Sequence, residues 1–533
     1  MSTVSTVRSG IASLRNNESL AKLVFLSLAG AFCLLTALSF FFLPLPTLQW
    51  FSDYWEHASA LRVLAESPLA PSNPHYDTFD SDRQFIPFFV LLGYLMSATG
   101  ISVTAALAIG ATITTVAFCS GAGRFARTYF QHAWAPFVML AVMLFAWGIP
   151  WIWTGFYEFR AHFYNGFYPA SFVFSLTFFF WDITLRCLKN RRVAPSSALA
   201  LLTLTALMFV SHQLGGLFAV GGAVLFIALE PGVRWHVRLS LLTLIVAGLA
   251  CTWWWPYFNP IQLTVAGSGD KANEGHADFY RALPVLMMIG PALLGIPALY
   301  ELSKKRLHLA VPVGFVALLL AYTVGGAAGH PVAHRFLSYL IIYLHLALVW
   351  KILMLGEIAS QQMAPLNGLK MKALACVMLL TVSAQLGFAA LDFARIGYET
   401  IYNRSFGSYP NHRVLRELAQ VANGLPRDAI IFASHDPALA ITALAGKVIA
   451  RPRPQLMIAD GNARVTDNAH FFSLTATAAE RAVLVEKYSA THILVKPDNV
   501  APDIMASLQE MGAPLPTGSK LVLIKLHNAG VAK

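Results

Sequence analysis

The chain has 533 residues, of which 56% are apolar and 12% are charged, whereas an ordinary soluble domain is about 25% charged. This composition excludes a soluble globular protein. The net charge of +11 does not by itself indicate nucleic acid binding, because charges must first be assigned to the two sides of a membrane. The five cysteines lie within or beside apolar segments, so we expect neither a disulfide framework nor a zinc site.

Apolar stretches of about 20 residues recur along the first 390 positions, and each can cross ~30 Å of hydrocarbon as a helix. The runs are continuous rather than alternating, which excludes a transmembrane barrel. The further apolar segment 85–98 is predicted to be a juxtamembrane or re-entrant helix, because counting it as a span would place Arg124 and Arg127 outside. The sequence predicts about eleven transmembrane helices, at 22–45, 101–121, 133–150, 167–185, 196–211, 214–230, 239–255, 283–300, 309–327, 336–355 and 372–391.

The distribution of Lys and Arg predicts the orientation of these spans. With the N-terminus in the cytoplasm, the inner segments hold seventeen Lys and Arg residues, and the opposite short loops hold six. An odd number of spans then puts the C-terminus on the outer face of the membrane.

The pattern predicts two regions. Residues 1–395 form a transmembrane module with a long first outer loop at 46–100, and residues 396–533 form an outer-face soluble α/β domain. In this domain the stretches Ser434-His-Asp-Pro and Arg451-Pro-Arg-Pro are typical of turns. The predicted strands are 429–433, 447–450, 492–495 and 521–526, and the predicted helices are 437–445 and 478–488.

The first outer loop carries polar and aromatic residues directly after the first span. It is predicted to be helical from Ser52, and Asp53, Glu56 and His57 then share one face at positions i, i+3 and i+4. A carboxylate beside an apolar surface has its pKa raised toward that of a general base, and a neighbouring imidazole can orient it. An amphipathic interfacial helix with a solvated acidic face explains the same spacing, so the pattern alone leaves both interpretations open.

The order of these motifs resembles that of the GT-C glycosyltransferases, membrane enzymes that use polyprenyl-phosphate-linked sugars. The resemblance rests on Ser52-Asp-Tyr-Trp-Glu-His-Ala, on Pro71-Ser-Asn-Pro-His-Tyr and on the apolar helix from Pro87. It covers the whole chain loosely, and it implies that Asp53 is the base that activates the acceptor. The aminoarabinose and protein-mannosyl branches carry an adjacent Asp-Glu pair and a Lys-Pro-Pro stretch. In this chain Asp53 is followed by Tyr54, and Arg83-Gln-Phe-Ile-Pro stands in place of the Lys-Pro-Pro stretch. Those branches therefore imply no donor or acceptor for this chain.

A polar outer loop at 256–282 contains three glycines that favour mobility. GT-C enzymes resemble this chain in having a flexible loop at this place, which orders over the donor. A disordered connector with incidental charges is the alternative. We assign no metal ligands and no cofactor, and we leave a divalent cation open, because the density of Asp, Glu and His alone does not show metal binding. The residues available for substrate contacts are Asp270, Glu274, His276 and Asp278.

A donor phosphate needs positive charge at the outer interface, where Arg can bind it bidentately. His334 and Arg335 lie at the mouth of the tenth span, and Arg160 and His162 lie in an aromatic outer loop. The GT-C resemblance implies a late-span arginine for the lipid phosphate, which favours Arg335 over Arg160. An arginine that anchors ordinary lipid headgroups is the alternative at both positions.

The sequence therefore predicts an inverting glycosyltransferase at the outer face of a membrane. Asp53 deprotonates the acceptor hydroxyl, and Arg335 with His334 stabilises the departing phosphate. The expected partners are a polyprenyl-phosphate sugar donor, a glycan, lipid or protein acceptor, and membrane lipid, but no nucleic acid. The resemblance implies a bacterial cytoplasmic membrane, with the C-terminal domain in the periplasm. The alternative is a secretory-pathway membrane, because Asn403-Arg-Ser is a glycosylation sequon on the predicted outer side.

Two other functions compete with this prediction. A transporter or flippase of lipid-linked sugars would have an equally apolar sequence. Ionisable pairs at the membrane midplane or an internal repeat would favour that function, and the sequence shows neither. A non-catalytic envelope assembly protein would use the C-terminal domain to recruit partners and the first loop as an anchor.

Overall fold

The computed structural model describes residues 2–42, 46, 53–78, 80–149, 155, 157–266, 279–330, 332–360, 365–402, 413–452 and 457–527. The chain divides into two compact units. The helical unit comprises Met1–Leu38, Ile109–Trp255 and Asn259–Leu391. The loop–tail unit comprises Ser39–Ala108, Pro256–Phe258 and Asp392–Lys533, so the first outer loop belongs to the same compact unit as the C-terminal region.

The protein is a polytopic helical membrane protein with a C-terminal α/β region. Eight helices of the described segments are long and apolar enough to cross a membrane, and they match eight of the eleven predicted spans. The other three predicted spans form shorter apolar helices: Ala135–Phe145, Pro195–Ser211 and Gln213–Leu229. The eight long helices are Glu18–Phe42, Val103–Phe130, Pro169–Lys189, Trp235–Trp254, Ala282–Lys305, Ala310–Ala327, Ala333–Glu357 and Cys376–Arg395.

The helix between the first two spans is Pro87–Thr99, which at 13 residues reaches only about 20 Å. Proline at its first turn favours helix initiation, and Gly100 ends it in the left-handed conformation with φ of 70°. The remaining α-helices of the first 402 residues are Asp53–Glu66, His162–Asn165 and Pro260–Ala266, and the span Cys376–Arg395 is part of the longer helix Pro365–Tyr402.

A buried carboxylate fixes two helices of the helical unit. Asp182 is fully buried, and its oxygens accept from Arg124 at 3.2 Å, from Thr128 at 2.5 Å and from Arg186 at 2.9 Å. Because a buried charge is tolerated only when it is paired and hydrogen-bonded, this acid has a packing role at the end of its helix.

The C-terminal region contains a mixed sheet of five strands in the order β2-β1-β3-β5-β4. The pairs β1–β2 and β1–β3 are parallel, whereas β5 is antiparallel to β3 and β4. The strands are β1 Ile430–Ala433, β2 Lys447–Val448, β3 His492–Val495, β4 Gly512–Leu515 and β5 Val522–Leu526. The helices are Arg413–Ala422, His435–Ala440, Gly461–Phe471, Ala478–Lys487 and Pro502–Glu510.

The four predicted strands are present, and β4 is an addition. Apolar side chains from β1, β3 and β5 form the core with the helices, and Phe432 stacks on Phe471 with ring centroids 4.0 Å apart. Helix Ala478–Lys487 begins with a complete capping box between Thr477 and Glu480.

The first outer loop adds to the edge of this sheet. The Val448 N–H of β2 donates to the His75 carbonyl oxygen at 2.7 Å, so a loop residue satisfies a backbone donor of the edge strand. Lys447 also donates to Ser72 Oγ at 3.1 Å and to the Asn73 carbonyl. These bonds hold the first loop against β2 within the loop–tail unit.

Candidate functional site

The predicted helix of the first outer loop is present as Asp53–Glu66, called here the loop helix. Ser52, the predicted cap, lies outside the described residues. Asp53 is partly exposed in the first turn, where the helix dipole favours a negative charge, whereas Glu56 and His57 are buried. The three side chains therefore start from one helix, but only Asp53 is partly exposed to solvent.

Glu56 is held in a buried ion pair. Its Oε1 lies 3.1 Å from Arg451 Nη1 and 3.6 Å from Arg83 Nη2, and the Glu56 and Arg451 side chains are only 5% and 2% exposed. Burial opposes ionisation, but the two guanidinium groups outweigh it and hold the pKa of Glu56 well below its usual range. Glu56 is therefore a poor proton acceptor.

His57 is a neutral, oriented imidazole. Its Nδ1 lies 3.0 Å from Gln84 Oε1, so Nδ1 carries the hydrogen, and its ring packs edge-on against Phe89. Burial lowers the pKa of His57, and the nearby carboxylates of Asp53 and Glu56 only partly offset this effect. At neutral pH, His57 can shape the environment of Asp53 without adding a charge.

Asp82 is a second buried acid of the loop. Its Oδ1 accepts from the Gln84 N–H at 2.7 Å, whereas its Oδ2 is buried with no hydrogen-bond partner among the described residues. Burial raises the pKa of Asp82 to about 6. The loop thus combines a strongly paired acid, Glu56, with an acid that protonates close to neutral pH.

The C-terminal region binds the loop helix along its length. Thr442 Oγ1 lies 2.9 Å from Ser59 Oγ and 3.0 Å from His75 Nδ1. The Arg62 guanidinium donates to the carbonyl oxygens of Thr442 at 2.9 Å and Gly446 at 3.0 Å. The residues from Thr442 to Arg451 therefore form a binding surface for the loop helix, which the sequence pattern did not reveal.

In the helical unit, His334 and Arg335 end a short 3-10 turn that leads into helix Phe336–Ser360, as expected for residues at the mouth of a span. His334 is buried and stacks on Phe279 with ring centroids 5.4 Å apart. Arg335 is half-buried, and its carbonyl accepts from Ser338 Oγ at 3.0 Å. The turn therefore holds one guanidinium beside one aromatic-stacked imidazole.

Arg160, the other candidate for phosphate binding, lies 5.8 Å from the Tyr164 ring and 5.9 Å from the Phe388 ring. Nearby, Glu158 is buried and contacts Gln385 Nε2 at 3.4 Å, and burial raises the pKa of Glu158 to about 8. His162 is buried against Phe rings, and burial lowers its pKa to about 3. Both groups are therefore largely uncharged near pH 7.

The predicted substrate loop cannot be placed. Asp270, Glu274, His276 and Asp278 lie outside the described residues, between helix Pro260–Ala266 and Phe279. In the part of the chain that the structure describes, no group of three or more His, Cys, Asp or Glu side chains is arranged to hold a metal ion.

Solved structures share this architecture. ArnT from Cupriavidus metallidurans in the apo state superposes with a TM-score of 0.55 and 12% identity, over 96% of this chain and 99% of that one. The structure of ArnT from the same organism bound to undecaprenyl phosphate superposes with a TM-score of 0.54 and 13% identity, over 95% of this chain and 100% of that one. The chain has the GT-C fold. The arabinofuranosyltransferase AftD from Mycobacteria superposes with a TM-score of 0.52 and 14% identity, over 95% of this chain and 40% of AftD, so this chain spans less than half of that protein.

No family model and no curated protein sequence matches the chain. At identities of 12–14% the structural likeness establishes the GT-C fold and leaves the donor and acceptor undetermined.

Proposed function

We propose that this protein is a glycosyltransferase that moves a sugar from a polyprenyl-phosphate-linked donor to an acceptor at the outer face of the cytoplasmic membrane. The observation that carries the proposal is the GT-C fold over nearly the whole chain, together with a partly exposed Asp53 at the start of the loop helix. A solved structure of the same fold, ArnT, is described as bound to undecaprenyl phosphate. A lipid phosphate as leaving group requires no nucleotide-binding domain.

The reaction is a single displacement. Asp53 accepts the proton of an acceptor hydroxyl, the hydroxyl oxygen attacks the anomeric carbon, and the bond from that carbon to the phosphate oxygen breaks. Attack opposite the leaving group inverts the anomeric configuration. Glu56 and His57 support Asp53 rather than replace it, because one is held in an ion pair and the other is neutral.

The departing lipid phosphate needs a cation that stays charged. Arg335 supplies a guanidinium with a fork of donors, and His334 adds an imidazole beside it. Arg160 offers a second guanidinium on an outer loop. The loop with Asp270, Glu274, His276 and Asp278 contacts the bound substrates in this proposal, and the acceptor is a glycan, a lipid or a protein.

The proposal is tested by mass spectrometry of envelope glycans and polyprenyl-phosphate-linked sugars in cells with and without the gene. We expect one glycan to lose a sugar and the corresponding lipid-linked sugar to accumulate, with both changes reversed by the wild-type gene. The accumulated donor should be oxidised by periodate added outside the cytoplasmic membrane.

Two results would contradict the proposal. A donor that accumulates but stays protected from external periodate would indicate a flippase. Unchanged donor and glycan pools would indicate a non-catalytic assembly protein.

A further inference from the structure

The loop helix is held by side chains and backbone carbonyls of residues that lie almost 400 positions away in the sequence. Three of its residues, Glu56, Ser59 and Arg62, bond to Arg451, Thr442 and Gly446. The three are spaced by three residues, which places them along one side of about two turns of helix. Contacts at several points along a helix restrict both its roll about its own axis and its tilt.

Arg451 is the charged member of this surface. It is 3% exposed, and its Nη1 donates to Glu56 Oε1 at 3.1 Å and to His75 Nε2 at 3.1 Å. One nitrogen therefore joins the loop helix to a second part of the same loop. Charge-assisted hydrogen bonds in a buried site are strong and directional, so this contact defines the position of Glu56 more closely than an exposed ion pair would.

Asp53 lies one turn before Glu56 on the same helix. A side-chain carboxylate on a helix is about 5–6 Å from the axis, so a roll of about 10° moves it by ~1 Å. A displacement of ~1 Å at a reacting group can reduce a rate by about 100-fold. The direction in which Asp53 points is therefore sensitive to the contact between Glu56 and Arg451.

We propose that Arg451 of the C-terminal region is a positioning residue: through Glu56 and His75 it fixes the loop helix so that Asp53 stays aligned for catalysis. This inference rests on the proposed function, because it assigns Arg451 to the reaction in which Asp53 is the base. It gives the C-terminal α/β region a direct part in the chemistry, in addition to any contact with the acceptor.

The test compares Arg451→Met with Arg481→Met in the full-length protein. Arg481 is a matched control because it is also 3% exposed, and it donates to the Phe471 carbonyl at 2.9 Å, to Ser507 Oγ at 3.0 Å and to the Ser473 carbonyl at 2.8 Å. These bonds stay within the C-terminal region. A loss caused only by weakening that region should therefore appear in both variants.

Two measurements are made on each purified variant. The first is hydrogen exchange of the backbone amides of Asp53–Glu66, which should be about tenfold faster or more in Arg451→Met and unchanged in Arg481→Met. The second is sugar transfer in vesicles that contain the lipid extract of the source membranes. Its rate should fall about tenfold or more in Arg451→Met only, while the affinity for undecaprenyl phosphate stays at the wild-type level.

A milder variant keeps the test valid if Arg451→Met does not fold. Thr442→Val removes the hydroxyl that contacts both Ser59 and His75 and keeps the size of the side chain. It should increase exchange in the loop helix and lower the transfer rate in the same direction, by a smaller factor.

The inference is overturned if the loop helix of Arg451→Met exchanges its amide hydrogens at the wild-type rate and the variant transfers sugar at the wild-type rate. It is also overturned if Arg481→Met speeds exchange in the loop helix and lowers the transfer rate to the same extent as Arg451→Met. Asp53→Asn is measured in parallel. If Asp53→Asn transfers normally, the proposed function of Asp53 fails; if Asp53→Asn is inactive and Arg451→Met is fully active, only the role of Arg451 fails.

Discussion

Asp82 makes the stability of the loop–tail unit depend on pH, and the variant Asp82→Asn tests this prediction. Burial raises the pKa of Asp82 from 3.8 to about 6, and the nearby Glu56 carboxylate adds to this rise, whereas the hydrogen bond from the Gln84 N–H opposes it. Since the folded state binds the proton more tightly than the unfolded state, Asp82 stabilises the fold fully below about pH 4 and loses this contribution as the pH rises to 6. The amide introduced by Asp82→Asn does not titrate, and it keeps an oxygen for the Gln84 N–H.

The size of the effect follows from the difference between the two pKa values. One pKa unit corresponds to 1.36 kcal/mol, so a difference of about two units corresponds to about 3 kcal/mol of unfolding free energy. Because this total is spread from below pH 3 to above pH 7, the stability of Asp82→Asn relative to the wild type should rise by about 2 kcal/mol between pH 4 and pH 6 and level off above pH 7. The buried amide adds a constant offset that does not change with pH.

The assay is the thermal or denaturant unfolding of the detergent-solubilised full chain at pH 4 to 8. Asp77→Asn is the matched control, because Asp77 is an exposed acid of the same loop, and it should follow the wild-type pH dependence. Parallel curves for the wild type and Asp82→Asn over this range would refute the reasoning, because they would show that ionised Asp82 does not destabilise the fold.

Two further predictions concern the helical unit. Burial raises the pKa of Glu158 to about 8, so the wild type loses stability as the pH rises from about 4.5 to 8. Glu158→Gln should therefore gain stability relative to the wild type over this range, measured by unfolding. Stability curves of the two proteins that diverge only below pH 6 would contradict this. Arg335→Met should bind undecaprenyl phosphate about tenfold more weakly or worse, because a charge-assisted contact is lost, whereas the exposed control Lys304→Met should bind normally. Equal affinities would rule out Arg335 as the phosphate ligand.

The membrane-spanning part of the fold was largely predictable because hydrocarbon imposes a length and an apolar composition on each span. The observed helix lengths differ from the predicted ones most at the shortest spans. The apolar run predicted a helix at 133–150, whereas the observed helix Ala135–Phe145 has 11 residues. Strand β4 was missed because its sequence, Gly-Ala-Pro-Leu, combines two residues that are rare in strands and is tolerated at an edge of the sheet.

The candidate site was only partly predictable. The helical spacing of Asp53, Glu56 and His57 was correctly deduced from local sequence, because a helix fixes the distance between neighbouring turns. The partner of Glu56 was not predictable, because Arg451 lies in a stretch, Arg451-Pro-Arg-Pro, that is typical of a turn and gives no local sign of a long-range ion pair. A buried arginine beside a buried strand becomes recognisable only when the fold brings its partner close.

The most direct test of the proposed function is the rate of sugar transfer by Asp53→Asn. The purified full chain is placed in vesicles with the lipid extract of the source membranes, and transfer to endogenous acceptor is followed by mass spectrometry. Loss of the general base should lower the rate about 100-fold or more, with undecaprenyl phosphate binding unchanged and with Asp77→Asn fully active. Transfer by Asp53→Asn at the wild-type rate would contradict the proposed mechanism.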